Sequence, residues 1–405
     1  MRTRYGVSPW LEEAPASRRI DLHRFRGDRT AEVVIIGGGL TGCAIAYASA
    51  AAGFETLLLE RDRIGLGSTG RSAGLLTPEP GPSFRDVAAA HGLRAARRVF
   101  ETWRRGAFDG AALIKRLNIR CDLDPKVLTV TAGREDEASL RREFEARRSA
   151  GLDVSWLTPK QLTAGLRLHA AGGYRLKGSF SLDPYRACVG LASAANRRGA
   201  VLCERSPVRK VRFTRKYADV IAEGGTIRTT RVIVATGSAS AEFKSLQRHF
   251  KRREMYAVMT EAVPPAIRKE LGDRGTVLRE FTTPPLQVRW TPDSRLVVAG
   301  ADQDETAGRK RDTTLVQRTG QLMYELLTKY PVISGLQPEY GWEAQYGETA
   351  DGLMYIGAHR NFPHHVFALG HRGDSVTGAF VSARMVTRAM QDAADKADDV
   401  FGWNR

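Results

Sequence analysis

Three glycines, Gly37, Gly39 and Gly42, stand in G-x-G-x-x-G spacing, and Glu60 follows eighteen residues after the last. Those residue types in that order could hold a phosphorylated nucleotide. Gly37 permits a tight turn, Gly39 lets a pyrophosphate approach the backbone, and Gly42 lets a helix press on a strand. Leu40 and Thr41 would open that helix, whose free N–H groups and partial positive charge favour phosphate. A carboxylate at Glu60 can accept hydrogen bonds from a ribose. Other reactive residue types offer less. The histidines His91, His249, His359, His364, His365 and His371 form no ligand set. The cysteines Cys43, Cys121, Cys188 and Cys203 include no C-x-x-C pair, so no metal site is expected. His371 lies in the turn Gly370-His371-Arg372-Gly373-Asp374. It reads either as a site residue or as a hydrogen-bonded turn histidine.

A lone glycine fingerprint is weak, and its context decides. Val33–Ile36 is a short apolar run suited to a strand buried on both faces. A small-residue helix is expected from Leu40 to Ala51, with Gly53 ending it. Phe54–Leu59 reads as a second strand that delivers Glu60. This strand–helix–strand setting predicts a dinucleotide site. The Gly- and Ser-rich stretch Arg61–Leu76 reads as a loop that wraps the ligand. Downstream, Phe84–Leu117 reads as a long helix or helix pair, and Asp136–Arg148 as a charged surface helix. Asp183 and Pro184 predict an N-cap and first position of a helix ending at Gly199. Strands are expected over Val201–Thr214, Asp219–Ala222, Thr226–Thr236, Met255–Glu261, Thr276–Phe281, Leu286–Trp290, Leu296–Ala299 and Val366–Leu369. Helices are expected over Thr313–Tyr330 and Ser375–Met390. In the polar N-terminal stretch, Trp10 and Leu11 are candidate anchors onto the body.

The chain of 405 residues is long enough for two substantial domains. It has no apolar run of membrane-spanning length and no apolar signal-peptide core at its start. A cytoplasmic protein with reduced cysteines is expected. The net charge of +17 could draw in nucleic acid, an anionic membrane or an acidic substrate. The basic clusters are scattered and lack interleaved aromatics, which favours a solvated arginine-rich surface and makes a nucleic-acid partner unexpected.

Taken with GSTGRSAGLL, SLDPYRACVGLASAANRRGA, VIVATG, TPDSRLVVAG, and DGLMYIG followed by ALGHRGDSVTGA, the fingerprint resembles a known family. The chain is similar to the D-amino-acid oxidase superfamily, in the branch with glycine oxidase, sarcosine oxidase and γ-glutamylputrescine oxidase. The resemblance runs from about Trp10 to Met390. It implies an α/β (α+β) architecture: a discontinuous Rossmann-like FAD-binding domain with an inserted antiparallel-sheet substrate domain. The expected FAD-binding pieces are 1–85, 180–245 and 340–405, and the substrate pieces 86–179 and 246–339. It further implies that Gly37, Gly39, Leu40, Thr41 and Gly42 cradle the pyrophosphate and that Glu60 binds the ribose beside Arg61. Arg71, Ser72, Ala73, Gly74 and Leu75 would lie along the isoalloxazine. Val208 would meet adenine through its main chain, and Ala235, Thr236 and Gly237 would approach from the middle piece. Gly370, Gly373, Asp374, Ser375 and Val376 would bring a helix start to the flavin, where N–H groups stabilise negative charge. Arg372, extra in this turn, would add positive charge near the flavin or point to solvent.

The departures bear on function. The glycine-oxidase arginine that binds substrate carboxylate aligns with Tyr346, and the cysteine that holds flavin covalently in sarcosine oxidases aligns near Ala344. Noncovalent FAD is therefore expected. The lysine that serves oxygen activation in those oxidases is missing from Leu296–Ala299, so oxygen or another electron acceptor remains open. On Leu286–Trp290, alternation puts Gln287 and Arg289 on one face. If that face lines the pocket, Arg289 can offer a planar fork to a carboxylate; if it is external, Arg289 is one more surface cation. The reaction implied is oxidation of a C–N bond in a small-molecule amine or amino acid, with hydride passing to flavin N5 and the imine hydrolysed. Two other readings are a tRNA-modifying FAD oxidoreductase of the same superfamily and a flavoprotein subunit without turnover of its own.

Overall fold

The strand Val33–Ile36 is buried along its whole length, and this requires a layer on each side of it. In the computed structural model, which describes residues 3–15, 20, 22–373 and 376–405, it sits inside a six-stranded sheet. The strand order is Tyr355–His359, Phe362–Leu369, Arg231–Gly237, Val33–Ile36, Thr56–Leu59, Val201–Cys203. All neighbours are parallel except the first pair. Val33 and Ile35 join one apolar cluster with Ala44, Ile45, Leu191 and Phe380 from the helices Leu40–Ala51, Pro184–Arg197 and Thr377–Met390. Val34 and Ile36 face the other way, against Val220 and Ile227 of a small four-stranded sheet. The period-2 alternation of a strand thus builds both layers from four consecutive apolar residues.

A second, ten-stranded sheet makes the other half of the molecule. Its main path runs Arg4–Tyr5, Pro338–Glu348, Lys251–Thr260, Leu296–Asp304, Gln287–Trp290, Thr276–Glu280, Asp124–Ala132, Gly172–Ser181, Leu75–Leu76. It is antiparallel except where Arg4–Tyr5 meets Pro338–Glu348 and where Thr276–Glu280 meets Asp124–Ala132. The expected antiparallel sheet is thus present, with two parallel pairings in it. One face carries Val258, Val288, Trp290 and Val298 against the helix Arg311–Lys329. The opposite face turns Met255, Ala257, Met259, Val297, Ala299, Trp342 and Ala344 toward Ala73 and Tyr185 of the dinucleotide half.

The element boundaries differ from the sequence reading in places. Val201–Thr214 is two strands, because Glu204–Pro207 leaves the sheet to sit beside Glu60. Thr226–Thr236 divides at Thr230 into strands of two different sheets. Phe84–Leu117 is a helix pair broken at Gly92, whose φ is +84°. Pro338–Glu348 crosses position 340 as one strand of the large sheet, because Tyr340, Trp342, Ala344 and Tyr346 bury one alternating face. Among the described residues, no helix is long and apolar enough to cross a membrane.

Candidate functional site

The glycine fingerprint opens at the C-terminal end of Val33–Ile36, where two neighbouring parallel strands also end. A Cβ on Gly42 would lie 1.9 Å from the Gly37 carbonyl oxygen, and one on Gly37 2.6 Å from that of Ala235. Both glycines are demanded by backbone approach. A Cβ on Gly39 would meet only the Thr69 hydroxyl, at 3.2 Å. Gly39 is the N-cap of the helix Leu40–Ala51 and has no side chain of its own to cap it, so N–H groups of the helix start beyond that of Leu40 are left for a prospective phosphate. Thr69, which sequence reasoning missed, accepts the Leu40 N–H at 2.9 Å. Glu60 is held from both sides: its carboxylate accepts the N–H of Gly38 at 2.6 Å and of Asp62 at 2.8 Å. Arg61 is exposed and pairs with Asp62 at 3.2 Å. The Ser206 N–H donates to the Glu60 carbonyl at 2.8 Å, which brings the edge strand beginning at Val208 alongside the same acid.

The other segments converge on this loop. Gly237 accepts the N–H of Gly370 at 2.8 Å, and Thr236 donates to the Ser238 carbonyl. Leu75 accepts the N–H of Val376 at 2.8 Å, and Gly373 accepts that of Ala73 at 3.4 Å. Asp374 and Ser375 lie outside the described residues. Arg71–Gly74 and Gly370–Gly373 thereby face the inner wall of the large sheet, where a Cβ on Gly373 would lie 3.6 Å from Ala344 and Met255. Sequence reasoning did not single out the small wall residues Ala257 and Ala299; the alternation of their strands was the signal that could have found them.

The five candidate substrate-side residues fall into two groups. His371 contacts Thr41, with Nε2 3.2 Å from the hydroxyl, on the fingerprint side rather than on the wall. Burial pushes its pKa down to about 4, so the ring is neutral near pH 7. Arg372 lies 5.8 Å over the Tyr346 ring and reaches Glu348 at 3.5 Å. Tyr346 is buried and donates to Asp302 at 2.6 Å, and burial raises its pKa far above the phenol range. Gln287 and Arg289 are both buried on the inner face. Through the cross-strand register, Arg289 shares a row with Val297, Met259 and Tyr340, six residues before Tyr346 on that strand. At a strand rise of about 3.3 Å per residue, the Arg289 and Tyr346 rows are roughly 20 Å apart.

Arg289 is 3% exposed. Its Nε donates to the Ala73 carbonyl at 2.8 Å and its Nη2 to that of Leu182 at 3.5 Å. Among the described residues no carboxylate pairs with it, and burial lowers its pKa to about 10, still leaving it charged. It borders a cavity of about 220 Å³ together with Trp10, Glu13, Asp183, Arg186 and Met259.

Known proteins share this architecture. γ-Glutamylputrescine oxidoreductase of Escherichia coli K12 is 24% identical over 382 residues, 91% of this chain and 85% of that protein. The crystal structure of glycine oxidase from Geobacillus kaustophilus superposes with a TM-score of 0.74 at 22% identity, covering 93% of this chain and 99% of that one. L-amino acid deaminase from Proteus myxofaciens, in complex with anthranilate, superposes with a TM-score of 0.76 at 16% identity, covering 96% of each chain. The family model described as FAD dependent oxidoreductase, DAO, matches residues 32–389, from the strand before the glycine loop to the helix after the Gly370 turn. By that match the chain belongs to the DAO family of FAD-dependent oxidoreductases.

Proposed function

We propose that this FAD-dependent oxidoreductase oxidises the C–N bond of a small amine or amino acid that carries an acidic group. The observation that carries the proposal is Arg289, a buried guanidinium beside a cavity with no carboxylate partner of its own among the described residues. Among those residues no carboxylate stands within ion-pair distance of it, Asp183, Asp124 and Asp293 act on it only from farther off, and a ligand's acidic group can supply a closer counter-charge. Arginine has five N–H donors, and two backbone carbonyls use only part of them.

The residues fit the cofactor. Gly37, Gly39, Leu40, Thr41 and Gly42 would hold the pyrophosphate, and Glu60 would take the ribose. Val208 and Ala235–Gly237 would flank the adenosine side, while Arg71–Leu75 and the Gly370 turn would flank the flavin. When bound, FAD supplies a hydride acceptor. The chain's own part is orientation and dryness. Arg289 fixes the acidic end of the substrate with a planar fork. The wall of Ala257, Ala299 and Ala344 is small and apolar. The substrate loses hydride from the carbon that bears nitrogen, C–N becomes C=N, and water hydrolyses the imine. No acid–base triad is needed for that sequence. Ala344 at the wall gives the flavin no thiol, so acid precipitation should release all FAD into solution.

The test is an anaerobic panel of amines, N-methyl amino acids and D-amino acids, read by loss of flavin absorbance. Acid-bearing members should bleach the flavin at lower concentration than their amides. Arg289→Ala should raise KM for them at least tenfold, and Arg289→Lys should recover only part, since an ammonium lacks the fork. No bleaching by any member would refute amine oxidation. A KM unchanged from wild type in both variants would remove Arg289 from the site.

A further inference from the structure

The stretch Gly70–Ala73 has an unusual set of partners. Ser8 donates its hydroxyl to the Gly70 carbonyl. Trp342 donates Nε1 to the Arg71 carbonyl at 2.8 Å, and Trp10 donates Nε1 to the Ser72 carbonyl at 3.0 Å. Arg289 donates Nε to the Ala73 carbonyl at 2.8 Å. Four successive carbonyls are thus each held by a separate side-chain donor, and all four donors are buried. The donors also brace one another. Trp10 and Trp342 meet edge to face at 6.4 Å, and the Arg289 guanidinium lies 5.1 Å over the Trp10 ring.

In a trans peptide the C=O and N–H point to opposite sides. Each held carbonyl therefore fixes the plane of its peptide, and with it the direction of the N–H of Arg71, Ser72, Ala73 or Gly74. Three of those N–H groups make long bonds. Ser72 N–H reaches the Thr69 carbonyl at 3.2 Å, Ala73 N–H the Gly373 carbonyl at 3.4 Å, and Gly74 N–H the Ser72 hydroxyl at 3.2 Å. These lie at or beyond the long end for N–H···O bonds, so the donors are poised for a better acceptor. Two of the four clamps, Ser8 and Trp10, come from an N-terminal segment outside the residues 32–389 that the family model matches.

We infer that the N-terminal segment Val7–Leu11 is a strap that presets the N–H row facing the flavin, with Trp10 as a positioning residue acting through the Ser72 carbonyl. The inference rests on the placement of Arg71–Gly74 along the flavin. In this role Trp10 acts through the Ser72 carbonyl and not by contact with the flavin; its ring also borders the Arg289 cavity. Its indole N–H stops the Ser72–Ala73 peptide from rotating, so the donor array is paid for before the cofactor arrives.

The test uses the full-length chain. Trp10→Phe removes the indole N–H donor while keeping one aromatic ring in the packed position. Its apoprotein should melt within about 2 °C of wild type, whereas FAD should bind roughly three- to tenfold more weakly, the worth of one neutral hydrogen bond. The visible flavin band should shift, and the midpoint potential should fall as the N–H row loosens and favours the reduced ring less. Ser8→Ala should move the same readouts in the same direction and serves if Trp10→Phe does not fold. Ser72→Ala, a change in the loop itself, separates the loop's role from the strap's. If Ser72→Ala alters the flavin spectrum while Trp10→Phe and Ser8→Ala leave spectrum, potential and affinity unchanged, the strap is refuted. If none of the three variants changes them, the placement of the loop along the flavin fails with it.

Discussion

Glu60 is fixed by the backbone around it. The N–H groups of Gly38 and Asp62 hold its carboxylate at 2.6 and 2.8 Å. A ribose hydroxyl donating to that carboxylate would add a charge-assisted hydrogen bond of about 1.5–3 kcal/mol. Glu60→Gln should therefore weaken FAD by roughly ten- to a hundredfold in a fluorescence-quenching titration. An unchanged affinity would remove Glu60 from the ribose. His371 makes a different prediction. Burial lowers its folded pKa to about 4 from an unfolded value of 6.5. Between those values the unfolded chain binds a proton that the folded chain refuses, so this residue's share of stability falls as pH drops through that window. The full loss is up to roughly 3 kcal/mol. Urea midpoints measured from pH 7 to 4 should drop less steeply in His371→Gln, and parallel curves would count against a buried neutral ring.

At the scale of elements, the strand–turn–helix of the glycine fingerprint separates two kinds of glycine. A Cβ on Gly42 would collide with backbone at 1.9 Å, so Gly42→Ala should destabilise even the apoprotein, by about 1–3 kcal/mol, and abolish FAD binding. A Cβ on Gly39 meets only the Thr69 hydroxyl, so Gly39→Ala should keep the apo melting temperature and lose FAD affinity. Equal melting shifts in the two variants would contradict that division. The same unit explains what the sequence made legible. Everything from Val33 to Glu60 is specified by neighbours within one strand–helix–strand unit, and the structure places it as read. Pro338–Glu348 escaped notice although Tyr340, Trp342, Ala344 and Tyr346 alternate, because Gly341, Glu343, Gln345 and Gly347 stand between them and leave no continuous apolar run. The partners of Arg289 were illegible for a stronger reason: Ala73 and Leu182 are far away in sequence, and only the closed sheet brings them to it.

For the whole molecule, the proposed site lies against the inner face of the large sheet, so the residues of that wall bear on what would reach a reduced cofactor. The strand Leu296–Asp304 carries no lysine, the residue that the likeness to sarcosine oxidases associates with oxygen activation, and its inward Val297 and Ala299 are apolar. Flavin reduced by substrate should therefore recover its colour more slowly in air-saturated buffer than with a quinone or dye of similar concentration. Stopped-flow absorbance measures both, and rapid peroxide formation would overturn the expectation. The ten-stranded sheet has one more consequence, which concerns synthesis. Its first strand, Arg4–Tyr5, pairs with Tyr340 and Gly341, and the Arg71 carbonyl waits for Trp342, 271 residues later in the chain. At roughly 5–20 residues per second, a ribosome needs about 15–50 s to cover that distance. A nascent chain arrested before Pro338 has its glycine fingerprint but neither a partner for its first strand nor the Trp342 clamp. On the proposed placement of the flavin, capture is expected only of the nearly finished polypeptide, and prematurely terminated chains should leave the ribosome without the clamp on Arg71.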